Sequence, residues 1–355
     1  MMGERIKRAR AAAGLSQREL ADRAELSAMA ISKFERGLAH PSSKSLIRLA
    51  RALGTRTEFF LRPTTVELEE PEYRKRASIS KKQLARIEAD ILDQVERFVE
   101  LVALFPTPPV ARFEVPSTVP RRIESLAQIE AAALAMREAW HLGHNAIPSL
   151  ADTLEERGLV VLTTDADASA KFDGLAARVG DLPVVVVGSA WPGDRQRFTM
   201  AHELGHLVLG ARLGPDLDEE KACDRFAGAF LVPEPTVRHE LGSHRNRLEP
   251  RELHALKHEY GVSMMAWVFR AADASVITGA TKTKLFRLFS AKGWRKREPG
   301  EPVPPETPKL FERLVLHALA EELISTSKAA ELMGMPVTAF RRRLGFEGPR
   351  GAAHQ

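Results

Sequence analysis

The pentapeptide His202-Glu203-Leu204-Gly205-His206 constrains this 355-residue chain more than any other feature. It lies in the apolar frame Phe198, Met200, Leu207, Val208 and Leu209, which reads as a buried helix. Histidines four residues apart share one helical face about one turn apart, so both imidazoles can reach a single tetrahedral ion while Glu203 stands beside them as general base. Two imidazoles do not complete a site. The one cysteine, Cys223, excludes a disulfide framework and a cysteine-built zinc finger, so the remaining ligand is a histidine or a carboxylate. Glu220, on the acidic helix expected over 217–231, is the choice, with Glu219 the main competitor and Asp218 a weaker one. Asp224 follows Glu220 by four residues, faces the same way, and is placed to accept a histidine N–H and fix its tautomer. Zn2+ is the expected ion, and Mn2+ or Fe2+ also suits two imidazoles and a carboxylate.

Charge is unevenly placed. The whole chain has a formal net charge of +5, yet residues 1–54 hold eleven Lys or Arg against five Asp or Glu, a local excess of +6. That asymmetry points to a polyanionic partner for the N-terminal part. There is no run of 18 apolar residues, and the N-terminus leads into a charged helix rather than an apolar signal core, so a cytoplasmic protein is expected.

Four short helices are predicted over 4–13, 16–23, 27–35 and 42–53, with Ser16 and Ser27 as N-caps, Glu19 completing a capping box, and Gly14, Gly37 and Gly54 ending helices. A long amphipathic helix over 80–104 follows, then a proline-rich break over 106–120. Helices over 123–142 and 147–157 precede two β-branched runs, 159–162 and 182–187, that read as strands. The metal-motif helix starts near Gln196. Further helices cover 250–260 and 263–272, the five-proline stretch 293–308 reads as loop or linker, and helices return over 310–323 and 325–344. The expected fold is mainly α with a small β-sheet. Its parts are an all-α DNA-binding domain (1–60), a helical and Pro-rich connector (61–122), an α+β zincin-like, gluzincin-like peptidase domain (123–300) and a helical C-terminal region (301–355).

Two resemblances sharpen this. Residues 197–209, with Glu220-x-x-Cys223-Asp224-x-Phe226-Ala227 and Phe230-Leu231-Val232-Pro233, resemble the ImmA/IrrE family of bacterial metallopeptidases. Trp140, Ile147-Pro148-Ser149-Leu150, Gly158-Leu159-Val160-Val161, Val262-Ser263-Met264 and Gly293-Trp294-Arg295 extend the likeness over roughly 124–300. The resemblance implies His202, His206 and Glu220 as metal ligands and Glu203 as catalytic acid/base, and it implies cleavage of a helix-turn-helix repressor in a stress or mobile-element response. The family often has Ala-Asn where this chain has Cys223-Asp224. The oxyanion-stabilising group stays open among His239, His244, His254, His258 and Tyr260, while Cys223 is expected to be a small core residue.

Residues 4–54 resemble the XRE family of helix-turn-helix domains through Leu15-Ser16-Gln17-x-Glu19-Leu20-Ala21, Leu26-Ser27, Ile31-Ser32, Phe34-Glu35-x-Gly37, Pro41 and the apolar run 46–53. Such a unit places the helix over 27–35 in the major groove of double-stranded DNA. Base reading is assigned to Ala28, Met29, Ser32 and Lys33 beside the cap residue Ser27, and phosphate positioning to Gln17, Arg18, Arg36 and Lys44. A homodimer through the helix over 80–104 is expected, because one unit this small offers little contact. Residues 310–344 resemble another helix-turn-helix ending in Arg341-Arg342-Arg343, with its partner left open. Two functions follow: a DNA-binding regulator with a zinc endopeptidase that cuts a repressor or antitoxin, or a transcription factor whose peptidase fold is a non-catalytic sensor or interaction module.

Overall fold

A computed structural model describes residues 2–62, 66, 80–165 and 172–345. The expectation of a mainly α fold with a small sheet holds: sixteen α-helices, two short 3-10 helices and three strands occur among the described residues. Contacts divide the chain into two units.

The first unit contains α1 (Met2–Ala12), α2 (Gln17–Ala24), α3 (Ala28–Glu35), α4 (Ser43–Ala52), α5 (Lys81–Val102), α14 (Leu310–Ala320), α15 (Thr326–Leu332) and α16 (Val337–Leu344). Ser16 caps α2 in a capping box with Glu19, and Ser27 and Ser42 cap α3 and α4. Ile6, Leu20, Ile31 and Leu49 are fully buried and close the core of α1–α4. Arg5 is buried and pairs with buried Glu96 of α5 at 2.9 Å, while Arg8 reaches the same carboxylate at 2.7 Å.

The apolar stripe of α5 was expected to meet a second copy. Its residues Ile87, Ile91, Val95, Phe98 and Leu101 are instead buried within this unit, where α5 packs on α1 and α14. The C-terminal helices also belong here. Arg62 pairs with Glu331, Arg97 donates to the Leu332 carbonyl at 2.8 Å, and Lys328 pairs with Glu100.

The second unit holds α6 (Leu126–Ala139), α7 (Leu150–Glu156), β1 (Val160–Thr164), β2 (Gly174–Val179), β3 (Leu182–Gly188), α8 (Gly193–Leu209), α9 (Glu219–Leu231), α10 (Glu234–Leu241), α11 (Pro250–Tyr260), α12 (Met264–Asp273) and α13 (Gly279–Ala291). The sheet order is β1-β3-β2, with β1 parallel to β3 (Val161 opposite Val185) and β2 antiparallel to it (Leu175 opposite Val186). Beneath it α8 packs on β2, β3, α7 and α9, and α9 packs on α6. Stacked Phe226 and Phe230 with edge-on Trp140 fill the α6–α9 contact.

The stretch 293–308, expected as loop or linker, has no helix or strand and is tied down at several points. Val303 accepts from the Gly193 amide at 2.8 Å, and a side chain at 193 would collide with the Pro304 carbonyl, so glycine is required where this strap crosses the start of α8. Glu306 pairs with Arg197 and accepts from the amides of Leu150 and Ala151 at 3.2 and 3.1 Å, a carboxylate at the positive end of α7. Glu298 does the same for α12 at Met264 and Met265, and also holds the buried Lys257.

Candidate metal centre

The centre is made by two crossing helices. α8 carries His202, Glu203 and His206, and α9 carries Glu219, Glu220 and Asp224. They approach closely because residue 205 is glycine: a Cβ there would lie 3.2 Å from Cys223 Cα and 3.3 Å from Phe226. Cys223 is fully buried in this contact, as a small core residue.

His202 Nε2 and His206 Nε2 lie 3.1 Å apart, and the Glu220 carboxylate oxygens stand 3.7 Å from the first and 3.6 Å from the second. Two ligand atoms about 2.05 Å from a tetrahedral ion are roughly 3.3–3.4 Å apart, so the three groups already have the spacing of a donor set. Among the described residues this trio forms the one group of His, Cys, Asp and Glu side chains with metal-ligand spacing.

Both outer nitrogens are occupied. His202 Nδ1 lies 2.8 Å from Asp224 Oδ1, and His206 Nδ1 lies 3.1 Å from Glu219 Oε1. A carboxylate at Nδ1 holds the proton there and leaves the Nε2 lone pair facing the centre. Burial works against a charged His202 ring, but its hydrogen bond to Asp224 and the nearby Glu203, Asp224 and Glu220 carboxylates outweigh burial and raise its pKa.

Two imidazoles and one carboxylate fit a catalytic rather than a structural zinc site, because a fourth position stays open for water or substrate. Glu203 is buried next to the pair. Glu220 and Asp224 remain 40% and 60% exposed, so the centre is reachable from solvent.

None of the four histidines left open for oxyanion contact belongs to the group with metal-ligand spacing. Tyr260 is buried, donates to Glu240 at 2.8 Å, and packs edge-on against Trp267; burial and the Glu240 carboxylate push its phenol well up. His254 packs against His258, His239 is exposed beside Glu240, and His244 is exposed. Glu219 was weighed only as a rival ligand. Its position one residue before Glu220, at the start of α9 opposite His206, is the signal that a second carboxylate serves the other imidazole.

In the first unit, Arg18, Ser27, Ala28, Met29, Lys33, Arg36 and Lys44 are exposed, and Gln17 and Ser32 are half-buried. Ser27 accepts from the Ala30 amide at 3.1 Å, so its hydroxyl serves the cap. Gln17 donates to Glu35 at 2.7 Å, which fixes its amide at the start of α2.

Residues 154–272 match the family model of the IrrE N-terminal-like domain, a peptidase family, and residues 6–60 match a helix-turn-helix model. One relative is an uncharacterized SPbeta prophage-derived HTH-type transcriptional regulator, YonR, of Bacillus subtilis. It is 36% identical over 69 residues, covering 19% of this chain and 64% of the relative. Another is the radiation response metalloprotease IrrE of Deinococcus radiodurans, 37% identical over 67 residues, covering 15% of this chain and 20% of the relative. The matched stretches thus span less than two thirds of either relative. The chain joins a helix-turn-helix DNA-binding domain to an IrrE-like metallopeptidase domain.

Proposed function

We propose that this protein is a DNA-binding regulator with zinc-dependent endopeptidase activity, cutting a helix-turn-helix repressor or antitoxin in a stress or mobile-element response. The convergence of His202 Nε2, His206 Nε2 and the Glu220 carboxylate, with Glu203 beside them, carries the enzymatic half. The exposed Lys33, Arg36 and Met29 on and after α3 support the DNA half. The substrate class rests on the resemblance to proteins of this kind, and a homodimer belongs to the same reading.

His202, His206 and Glu220 would hold a divalent ion, which when bound would supply Lewis acidity for a peptide carbonyl and for water. Glu203 takes a proton from the attacking water and passes it to the leaving amine, so that a C–O bond forms as the C–N bond breaks. Asp224 and Glu219 hold the two rings in the required tautomer and orientation.

The test compares new protein N-termini in cells expressing the wild type or Glu203→Gln, with metal content measured for both. The expected result is equal metal and cleavage of a helix-turn-helix protein by the wild type alone. Equal metal with identical N-termini would leave the second reading, in which the peptidase fold is a sensor or interaction module.

A further inference from the structure

The metal centre on α8 and α9 and the DNA-binding helices α1–α4 leave α14–α16 without a role. Their backbone repeats that of α1–α3 at a constant displacement of 309 residues. Ser16 accepts from the Glu19 amide at the start of α2, and Ser325 accepts from the Lys328 amide at the start of α15. The next apolar pair is buried in both, Leu20-Ala21 and Ala329-Ala330. The turn then passes through a left-handed residue at the same place, Glu25 with φ 52° and Gly334 with φ 66°. It is closed by the same hydrogen bond: Leu26 N to Ala21 O at 2.9 Å, and Met335 N to Ala330 O at 3.0 Å.

The second helices have identical bounds under that shift, Ala28–Glu35 and Val337–Leu344, and each buries one large residue at its fourth position, Ile31 and Phe340. Even the preceding helices agree, with Ile6 and Ala9 buried in α1 and Val315 and Ala318 in α14. The bounds of the other two helices differ by one residue: α14 begins and ends one position early, α15 ends one position early, and the connection before the motif has five residues rather than four.

Under this correspondence Ser32 and Lys33 fall on Arg341 and Arg342, and Met29 falls on Thr338. Thr338, Arg341 and Arg342 share the face of α16 opposite buried Phe340, and all three are exposed. Arg343 points elsewhere and pairs with Glu312. We infer that residues 310–345 are a second helix-turn-helix that binds double-stranded DNA through α16, with Arg341 and Arg342 as its principal contacts.

Guanidinium groups match both phosphates and the guanine edge in the major groove. A protein partner on this helix would need a large apolar anchor near its centre, and the one large apolar side chain that α16 exposes is Leu344, at its last position. Of the four base readers assigned to the first module, Ala28 and Met29 have little hydrogen-bonding capacity and Ser32 and Lys33 carry the rest. A second module on the same chain adds affinity without new contacts at the first.

The test is binding of a labelled mixed-sequence DNA duplex by the full-length chain across a salt series. Arg341→Ala/Arg342→Ala is compared with the wild type and with Lys33→Ala/Arg36→Ala. Loss of two phosphate neutralisations lowers the slope of log affinity against log salt by about 1.8 and weakens binding roughly 60-fold at 0.1 M salt. Arg341→Lys/Arg342→Lys should restore the slope.

Wild-type affinity and slope in Arg341→Ala/Arg342→Ala, with binding lost in Lys33→Ala/Arg36→Ala, would overturn this inference alone. No duplex binding by the wild type would overturn it together with the DNA-binding role of α3. Circular dichroism melting and metal content, unchanged in all variants, separate lost contacts from lost folding. The peptidase reading is untouched by either result.

Discussion

Asp224 Oδ1 stands 2.8 Å from Nδ1 of His202, on the side of the ring away from Glu220. The residue is not in the candidate trio, yet a carboxylate at that nitrogen favours the proton there and leaves Nε2 for an ion. Outer partners of this kind are worth about 10- to 100-fold in metal affinity. Asp224→Ala is therefore expected to weaken zinc binding by that range in a chelator competition, and Asp224→Asn, which keeps an accepting oxygen, by less.

Glu219 and Glu220 are adjacent in sequence but serve different atoms. The first reaches His206 Nδ1, and the second faces both Nε2 atoms. Purified wild type should carry about one zinc per chain, lost in Glu220→Gln and His206→Ala. Glu219→Gln should keep the metal at reduced affinity. Equal losses from the two glutamate variants would mean that Glu219 is a ligand.

The histidine pair was legible because helical spacing alone brings residues four apart onto one face. Glu220 could be ranked above Glu219 in sequence but not separated from it, since which of two neighbouring side chains points inward depends on the crossing of α8 and α9. The strap around Glu306 was not legible. A polar, five-proline stretch has no periodicity, and the order around Glu306 comes from partners more than 100 positions away. The placement of α14–α16 beside α5 escaped for the same reason. The amphipathic stripe of α5 showed that something would cover it; part of the cover is α1, earlier in the chain, and the rest is α14, over 200 residues later. Strand β2, Gly-Leu-Ala-Ala-Arg-Val, was hidden by small residues, and α13 by a sequence with few strong apolar repeats.

Gly205 tests the helix crossing. A methyl group there gains helix propensity of about 1 kcal/mol relative to glycine but needs Cys223 and Phe226 to yield by a few tenths of an ångström. Gly205→Ala should thus change melting little, while Gly205→Val, adding bulk to a closed contact, should cost about 1–3 kcal/mol. Because α9 carries Glu220, both should lower zinc affinity. Retained affinity in Gly205→Val would show that the contact does not set the ligand spacing.

Glu306 holds the start of α7 and the side chain of Arg197, which is nearly fully buried and also donates to the Ile147 carbonyl. Removing one member of such a pair strands the other charge, at a cost of about 3–5 kcal/mol. All four tryptophans lie between residues 140 and 294, so their fluorescence follows the second unit. Glu306→Ala should lower the urea midpoint of that fluorescence transition. An unchanged midpoint would show that the strap is dispensable.

Glu35 plays the corresponding part in the first unit. It is buried at the end of α3, accepts from Arg10 through both oxygens, and takes a further hydrogen bond from Gln17 at the start of α2. Three elements of the DNA-binding module thus meet at one carboxylate. Glu35→Ala strands the Arg10 guanidinium and frees Gln17, and should cost about 3 kcal/mol. Arg10→Met/Glu35→Leu removes both charges and should recover much of that loss, because a buried pair contributes less than either orphan costs. The readout is helical circular dichroism with the tryptophan transition as internal reference. A shift in the first without the second is expected, and a double variant no more stable than Glu35→Ala would show that the pair itself, rather than relief of an unpaired charge, holds α3 in place.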